Sequence, residues 1–506
     1  MKIERTKNAA RNLKFGVLLQ LFSVLMPFVM RTAMLHQLGV EYLGLGGLFA
    51  TIIRTLNIAE LGVNSAMVYS MYRAIADDDN AEICALMRLY RRYYRIIGCA
   101  IAAAGLSLLP VLPKLISGHV PADVDIYILY LLELGTTVFT YWLFAYRNSL
   151  LSAFQRQDVR SKIDICVGLV QSGLQLFTLY VFHNYYAYLS IALAFQILTN
   201  VITAVIVSRM FPQYSPVGVV DEQKKKAIHG RIRDLFLAKI AGTIVNSSDT
   251  LVISAFLGLR VLAIYQNYYY IMSSVIAFLM IVSTSTIAGV GNSLLTETKE
   301  KNYHDFEKLS FLMLWLITVC TCCFACMYQP FMELWVGAEN CFSDSIMLLF
   351  CVYFYVYMVQ RIGIIYKDAS GIWRDDRTRT IVTALTNLVL NLVFVRRFGV
   401  YAIILSTVFS YLFLGTPWLI RNLFKLVFER SAGVYVKMLL IHTLLTTVVC
   451  AACVWLSVHT PLTGLVALIT RAGIAVAISN GALYLFYRRS EYFDSVTRFA
   501  ARLLKR

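Results

Sequence analysis

Long apolar runs recur along this chain from Phe15 to Tyr487, separated by short polar stretches. A spanning helix needs about 20 mostly apolar residues, and these runs have that length. They fall at roughly 15–38, 43–71, 93–116, 126–150, 163–183 and 186–208, then 236–258, 261–287, 309–328, 343–366, 378–395 and 399–421. A polar stretch at 209–235, containing "DEQKKKAIHGRIRD", separates the two sets. A basic link at 421–437 leads to a last pair, 438–457 and 465–487. The pattern predicts an all-α membrane protein with fourteen spans. It argues against a transmembrane barrel, whose strands would alternate over about 10 residues.

Composition sharpens this reading. Of 506 residues, 59% are hydrophobic and 15% charged, against roughly 45–50% and about 25% in soluble domains. Disorder is excluded, as is a soluble enzyme on a single anchor. The charge balance is 46 Lys+Arg against 29 Asp+Glu, a net of +17. In a soluble protein that excess suggests nucleic acid. Here the cations sit between apolar runs, as the positive-inside rule predicts, and no nucleic-acid partner is expected. With the N-terminus inside, the cytoplasmic side collects Arg88, Arg91, Arg92, Arg95, Lys224, Lys225, Lys226, Arg231 and Arg233. The outer side keeps Lys114, Arg260, Arg396 and Arg397, the last two fitting least well. Both termini are thus expected in the cytoplasm, in a multi-pass protein of the cell membrane. The basic start "MKIERTKNAARNLK" lacks a small-residue cleavage site and reads as the lead of an uncleaved helix. The 11 cysteines lie almost entirely in apolar runs, "CTCCFAC" at 320–326 included, and read as small packing residues rather than metal ligands. No P-loop or HExxH is present.

An internal repeat organises the spans. "LGVEYLGLGGLF" at 38–49 resembles "LGLRVLAIYQNY" at 257–268, and "AELGVNS" at 59–65 loosely echoes "AGVGNS" at 288–293. Six spans per half give both halves one orientation, so the lobes are expected to be related by a pseudo-two-fold axis along the membrane normal, a transporter arrangement. The expected domains are an N-lobe at 1–208, a cytoplasmic linker at 209–235, a C-lobe at 236–421, and a C-terminal helix pair with a basic tail at 422–506.

Ionisable groups inside spans cost about 2.5–3.5 kcal/mol at the centre on insertion scales, so they are functional or paired. Span 2 carries Arg54, Asn57, Glu60 and Asn64 at spacings of 3, 3 and 4, one face of a continuous helix. Arg54 falls roughly 18 Å from the outer end at 1.5 Å per residue. Span 1 carries Arg31 after Pro27, a kinking residue. Span 7 carries Asn246 and Asp249; span 8 carries Gln266 and Asn267 and ends at Asn292. Glu133 in span 4 and Arg361 in span 10 complete the cavity candidates. The plain alternative for Arg54 is an ion pair with Glu60 or Asp249 that only holds helices together. The functional reading is a cationic cavity for an anionic headgroup, since the planar guanidinium binds phosphate bidentately and stays charged when desolvated.

The stretches "LGVEYLGLGGLFATIIRTLNIAELGVNSAMVYSMY" (38–72), "NSSDTLVISAFLGLRVLAIYQNYYYI" (246–271), "GVGNSLLTE" (289–297) and "PFMELWVG" (330–337) carry a resemblance. Over most of 1–421 the chain resembles the polysaccharide flippases of the multidrug/oligosaccharidyl-lipid/polysaccharide exporter superfamily, which include O-antigen and teichoic-acid-type exporters. The resemblance implies two six-helix lobes around a central cavity and alternating access. It implies a polyprenyl-diphosphate-linked oligosaccharide as cargo, with Arg31 and Arg54 as candidates for holding the diphosphate. Glycan-assembly proteins are implied as partners; no cofactor is, and a coupling ion is left open. Two rivals stand beside this reading. A cation-coupled multidrug exporter of the same architecture would place carboxylates in an apolar cavity. A membrane glycan polymerase or acyltransferase would need a catalytic constellation and usually a sizeable outer loop, and neither is visible.

Overall fold

The computed structural model describes residues 5–60, 62–460, 462, 464–490 and 493; within these, the side chains of 5–7, 9, 10, 59, 234, 237–246, 282–285, 288 and 374 lie outside the description. Every regular element among the described residues is helical. Two compact units divide the chain, Met1–Ala263 and Ile264–Arg506.

The first unit is built from α1 (Arg5–Gln37), α2 (Val40–Leu56), α3 (Val63–Ala76), α4 (Asn80–Ser107), α5 (Ile126–Trp142), the short α6 (Asn148–Ala153), α7 (Gln157–Phe182), α8 (Tyr185–Met210) and α9 (Glu222–Leu257). Side-chain oxygens fix several starts. Asp79 accepts from the Glu82 amide, Asp125 from Tyr127, Asn184 from Ala187 and Asp221 from Gln223. Each satisfies a donor that the first helical turn leaves orphaned. The helix α1 runs unbroken through Pro27 and packs on α7, while α2 packs on α9, α4 on α5, and α5 on α8. Backbone contact between α2 and the start of the next helix is close: a Cβ on Gly44 would overlap the Leu259 carbonyl oxygen and lie 2.8 Å from its carbon. The two glycines that open the repeated motifs share one conformation, Gly39 at φ 112, ψ 172 and Gly258 at φ 92, ψ 173. Essentially only glycine occupies that region, so the echo between the two sequence segments extends to the backbone.

The second unit contains α10 (Leu259–Thr296) from Ile264 onward, α11 (Lys299–Val336), α12 (Asp344–Ser370), α13 (Trp373–Phe398), α14 (Val400–Phe409), α15 (Thr416–Leu423), α16 (Gly433–Val458) and α17 (Gly464–Tyr487). Wider π-type turns at 410–415 and 424–428 flank α15, so 400–428 forms one long rod. The last two helices pack on α11 through a small-residue seam of Cys322, Cys326, Cys453 and Ala475. His442, 1% exposed, sits among the Tyr487 and Thr318 hydroxyls and the Leu314 carbonyl. Cys322, Cys326 and Cys453 thus occupy the packing role their apolar flanks suggested.

Among the described residues, nine helices are long and apolar enough to cross a membrane. Two further candidates are bent pairs: 80–107 with 109–115, at 58° beside Pro110 and Pro113, and 126–142 with 145–153, at 52°. The count is therefore nine to eleven. The other three expected segments, 43–71, 236–258 and 261–287, are helical but fall outside it. The first is interrupted at 57–62, and the others include side chains outside the description.

Candidate functional site

The stripe expected on one face of span 2 is divided by a break in the helix. After Leu56, residues Asn57–Glu60 form a tighter 3₁₀ turn, and Gly62 turns left-handed at φ 98 before α3 begins. The spacing of 3, 3 and 4 assumed an unbroken α-helix, so the four residues separate into two environments. Gly62 permits the break and also a close approach, since a Cβ there would meet Leu235 Cβ at 2.7 Å and the Ile232 carbonyl oxygen at 3.0 Å.

Arg54, in the last turn of α2, is exposed. Among the described residues its guanidinium makes no hydrogen bond or ion pair. Ala50, one turn earlier, is also exposed, and Gly46 and Gly47 are half-buried. On α2 itself, these three positions preceding Arg54 carry nothing larger than a methyl group.

Glu60 turns the other way, into a cluster of phenols. Tyr94 donates to Glu60 Oε1 at 2.5 Å, and Tyr141 donates to Glu60 Oε2 at 2.7 Å. The Tyr141 hydroxyl also lies 3.2 Å from Asn57 Oδ1. The Tyr90 hydroxyl is shared between Asn64 Oδ1 at 2.9 Å and the Tyr94 hydroxyl at 2.7 Å. The rings pack edge to face or tilted, at 4.4 Å for Tyr90–Tyr94 and 5.3 Å for Tyr94–Tyr141. Glu60, one of the two carboxyl groups that the plain alternative would pair with Arg54, is held by hydroxyls from α4 and α5 instead.

A second polar group forms nearer the other end of the unit. Arg31 on α1 and Glu133 on α5 are both half-buried, and both lie within electrostatic reach of Tyr188 on α8. Tyr188 stacks on Tyr185, whose hydroxyl approaches α2 where Gly46 has no side chain. Asp249 on α9 is half-buried beside the buried Ser248 and Thr250; the side chain of Asn246 lies outside the described residues.

In the second unit, Gln266 is half-buried, Asn267 fully buried and Asn292 exposed near the end of α10. Arg361 donates through Nη2 and Nε to the Tyr357 hydroxyl at 2.7 and 3.1 Å, with its guanidinium 5.0 Å from that ring. Several polar residues here escaped the sequence reading. Asn387, Asn391 and Thr407 are 1%, 0% and 2% exposed, with Asn387 Nδ2 donating to Thr407 Oγ1 at 2.9 Å. Asp376 and Arg379 form a buried bidentate pair at 2.6 and 2.5 Å, which Asn422 joins at 3.4 Å. The available signals were spacings: Tyr90 with Tyr94, and Thr383 with Asn387 and Asn391, recur every four residues, one helical face in each case.

No protein-family model and no curated protein sequence matches the chain. Solved structures do match in fold. The lipid II flippase MurJ in an inward closed conformation aligns at TM-score 0.70 and 13% identity, covering 94% of this chain and 99% of that one. An inward-facing multidrug resistance MATE transporter of the MOP superfamily aligns at 0.59 and 14%, covering 82% and 99%. A point mutant of the Vibrio cholerae MATE transporter VcmN aligns at 0.56 and 15%, covering 84% and 99%. The chain is thus a multi-pass membrane protein, helical throughout its described regular elements, with a fold similar to that of these transporters.

Proposed function

We propose that this chain is a flippase, not an enzyme, that moves a polyprenyl-diphosphate-linked oligosaccharide across the cytoplasmic membrane for cell-surface polysaccharide synthesis. The observation that carries this reading is Arg54: an exposed guanidinium at the end of α2, within an expected span, with no partner among the described residues and small residues along its own helix face. A cation kept at that depth without a counter-charge is costly, and a diphosphate supplies the missing charge and bidentate acceptors. Fold similarity to a lipid II flippase over 94% of the chain supports the class of cargo.

In this reading the chain crosses fourteen times with both termini in the cytoplasm. The lobes are 1–208 and 236–421, joined by the 209–235 stretch and followed by the helix pair at 422–506. The headgroup is exposed to one side of the membrane and then the other, and transport is driven only if its affinity differs between the two states. Arg31 contributes a second cation, tempered by the nearby Glu133. Glycan-assembly proteins hand over the cargo and receive it.

The second reading, a cation-coupled multidrug exporter, rests on Glu60, a carboxyl group surrounded by aromatic rings, and on the MATE neighbours. One experiment separates the two. Cells carrying Arg54→Ala, with the protein at normal level in the membrane, are assayed for surface glycan and for efflux of cationic dyes. The flippase reading expects glycan export to fall about 10- to 100-fold, the cost of a lost charged hydrogen bond, with Arg54→Lys recovering part of it and no effect on dyes. Undiminished glycan export with impaired dye efflux in a Glu60→Gln variant supports the exporter instead.

A further inference from the structure

The second unit holds a cavity of about 1290 Å³ between α11, α12, α15 and α16. It exceeds the roughly 300–1,000 Å³ of common small-ligand pockets. Its walls are apolar, formed by Ala325, Val352, Val356, Leu412, Leu439 and Leu440 among others. Leu440, Val352 and Leu412 are 66%, 45% and 44% exposed, so the cavity opens sideways, where the bilayer lies. One end is different: there the lining is Arg421, Lys425 and Arg430, at the link to α16.

The charges at that end are unbalanced. Arg421 and Lys425 stand one helical turn apart, both exposed, and among the described residues neither makes a hydrogen bond or ion pair. Arg430 lies 3.9 Å above the Tyr303 ring. Glu429 is the one carboxylate on the described lining, and Lys299 engages it at 2.5 Å.

We propose that this cavity is a binding site for an anionic phospholipid, with its acyl chains along the apolar walls and its phosphodiester against Arg421 and Lys425. Charge complementarity selects the occupant. Two cations without counter-charges favour a net anionic headgroup, each contributing to attraction near the membrane surface. A zwitterionic headgroup brings its own cation to them, and free phosphate leaves the apolar walls empty. With the 421–437 link in the cytoplasm, the lipid belongs to the inner leaflet. The site lies wholly within Ile264–Arg506 and does not depend on the Arg54 reading.

The test is native mass spectrometry of the purified full chain, titrated with phosphatidylglycerol, phosphatidylcholine, undecaprenyl phosphate or inorganic phosphate. Phosphatidylglycerol is expected to bind at least about 5-fold more tightly than phosphatidylcholine. Arg421→Gln with Lys425→Gln should weaken it roughly 25-fold, about 5-fold per charge. The charge-preserving pair Arg421→Lys with Lys425→Arg, and the Arg54→Ala variant, should bind it as the parent does. Val356→Trp, which narrows the cavity at its apolar wall, should weaken both phospholipids. Equal binding of the two phospholipids, or indifference to charge removal, overturns the proposal. So does capture of undecaprenyl phosphate without phosphatidylglycerol, which makes the cavity a cargo groove, or displacement of lipid by phosphate alone, which makes it a free-anion site.

Discussion

Tyr141 places its hydroxyl 2.7 Å from Glu60 Oε2, so that a phenol, and not the guanidinium of Arg54, faces this carboxyl group. With Tyr94 on the other oxygen, both acceptor atoms of Glu60 are occupied by hydroxyl donors. That arrangement leaves Arg54 available for a ligand. It also ties the turn at 57–60 to α4 and α5. Tyr94→Phe with Tyr141→Phe should therefore destabilise the protein by about 1.5–3 kcal/mol per hydroxyl, the range for hydrogen bonds to charged groups. Thermal unfolding in detergent measures it, and a double variant as stable as the parent would show that the phenols do not hold the turn.

The close crossing at Gly44 predicts a sharper effect. Gly44→Ala drives a methyl group into the Leu259 carbonyl, and backbone cannot move aside as a side-chain tip can. A loss of about 1–3 kcal/mol or more is expected. Gly173→Ala in α7, where nothing lies within 4 Å, should instead be neutral or gain up to about 1 kcal/mol from helix propensity. Similar melting temperatures for the two variants would contradict the packing of α2 against that backbone.

The Asp376–Arg379 pair tests a buried charge in the second unit. The two side chains are 2% and 6% exposed. Removing either one strands the other, at a cost of about 3–5 kcal/mol. The double variant Asp376→Leu with Arg379→Leu should cost far less than the sum of the two single losses. Additive losses in unfolding experiments would mean that the two groups do not interact.

Helix packing at the C-terminal pair can be checked by chemistry. Cys322 Sγ on α11 and Cys450 Sγ on α16 are 3.3 Å apart. Oxidation with copper–phenanthroline should join them. With a protease site inserted in the 421–437 link, the two fragments then migrate together on a non-reducing gel and separate on reduction. Fragments that separate without reductant, while Cys322→Ser behaves identically, would place α16 elsewhere.

The long apolar runs made the helical class legible from sequence, because apolar length dominates what a bilayer accepts. The break inside span 2 was not. Gly62 sits within a mostly apolar stretch, and hydropathy does not register a residue whose effect is a φ of 98°. Partnerships were hidden too: Glu60 meets tyrosines 34 and 81 residues away, and no local pattern encodes such a distance. Asn387 and Asn391 escaped because the amides singled out were those in spans 2, 7 and 8, beside the repeated motifs, and the span at 378–395 carries no such motif. Arg54 was singled out because a cation inside an apolar run stands out whatever it contacts.

The most direct measurement of the central claim is the affinity of purified protein for a polyprenyl-diphosphate oligosaccharide, compared between the parent, Arg54→Gln and Arg54→Lys at fixed ionic strength. If Arg54 holds the diphosphate, Arg54→Gln weakens binding about 10- to 100-fold. Arg54→Lys then falls between, because the charge remains but the bidentate fork is lost. Equal affinities across all three proteins would contradict the account.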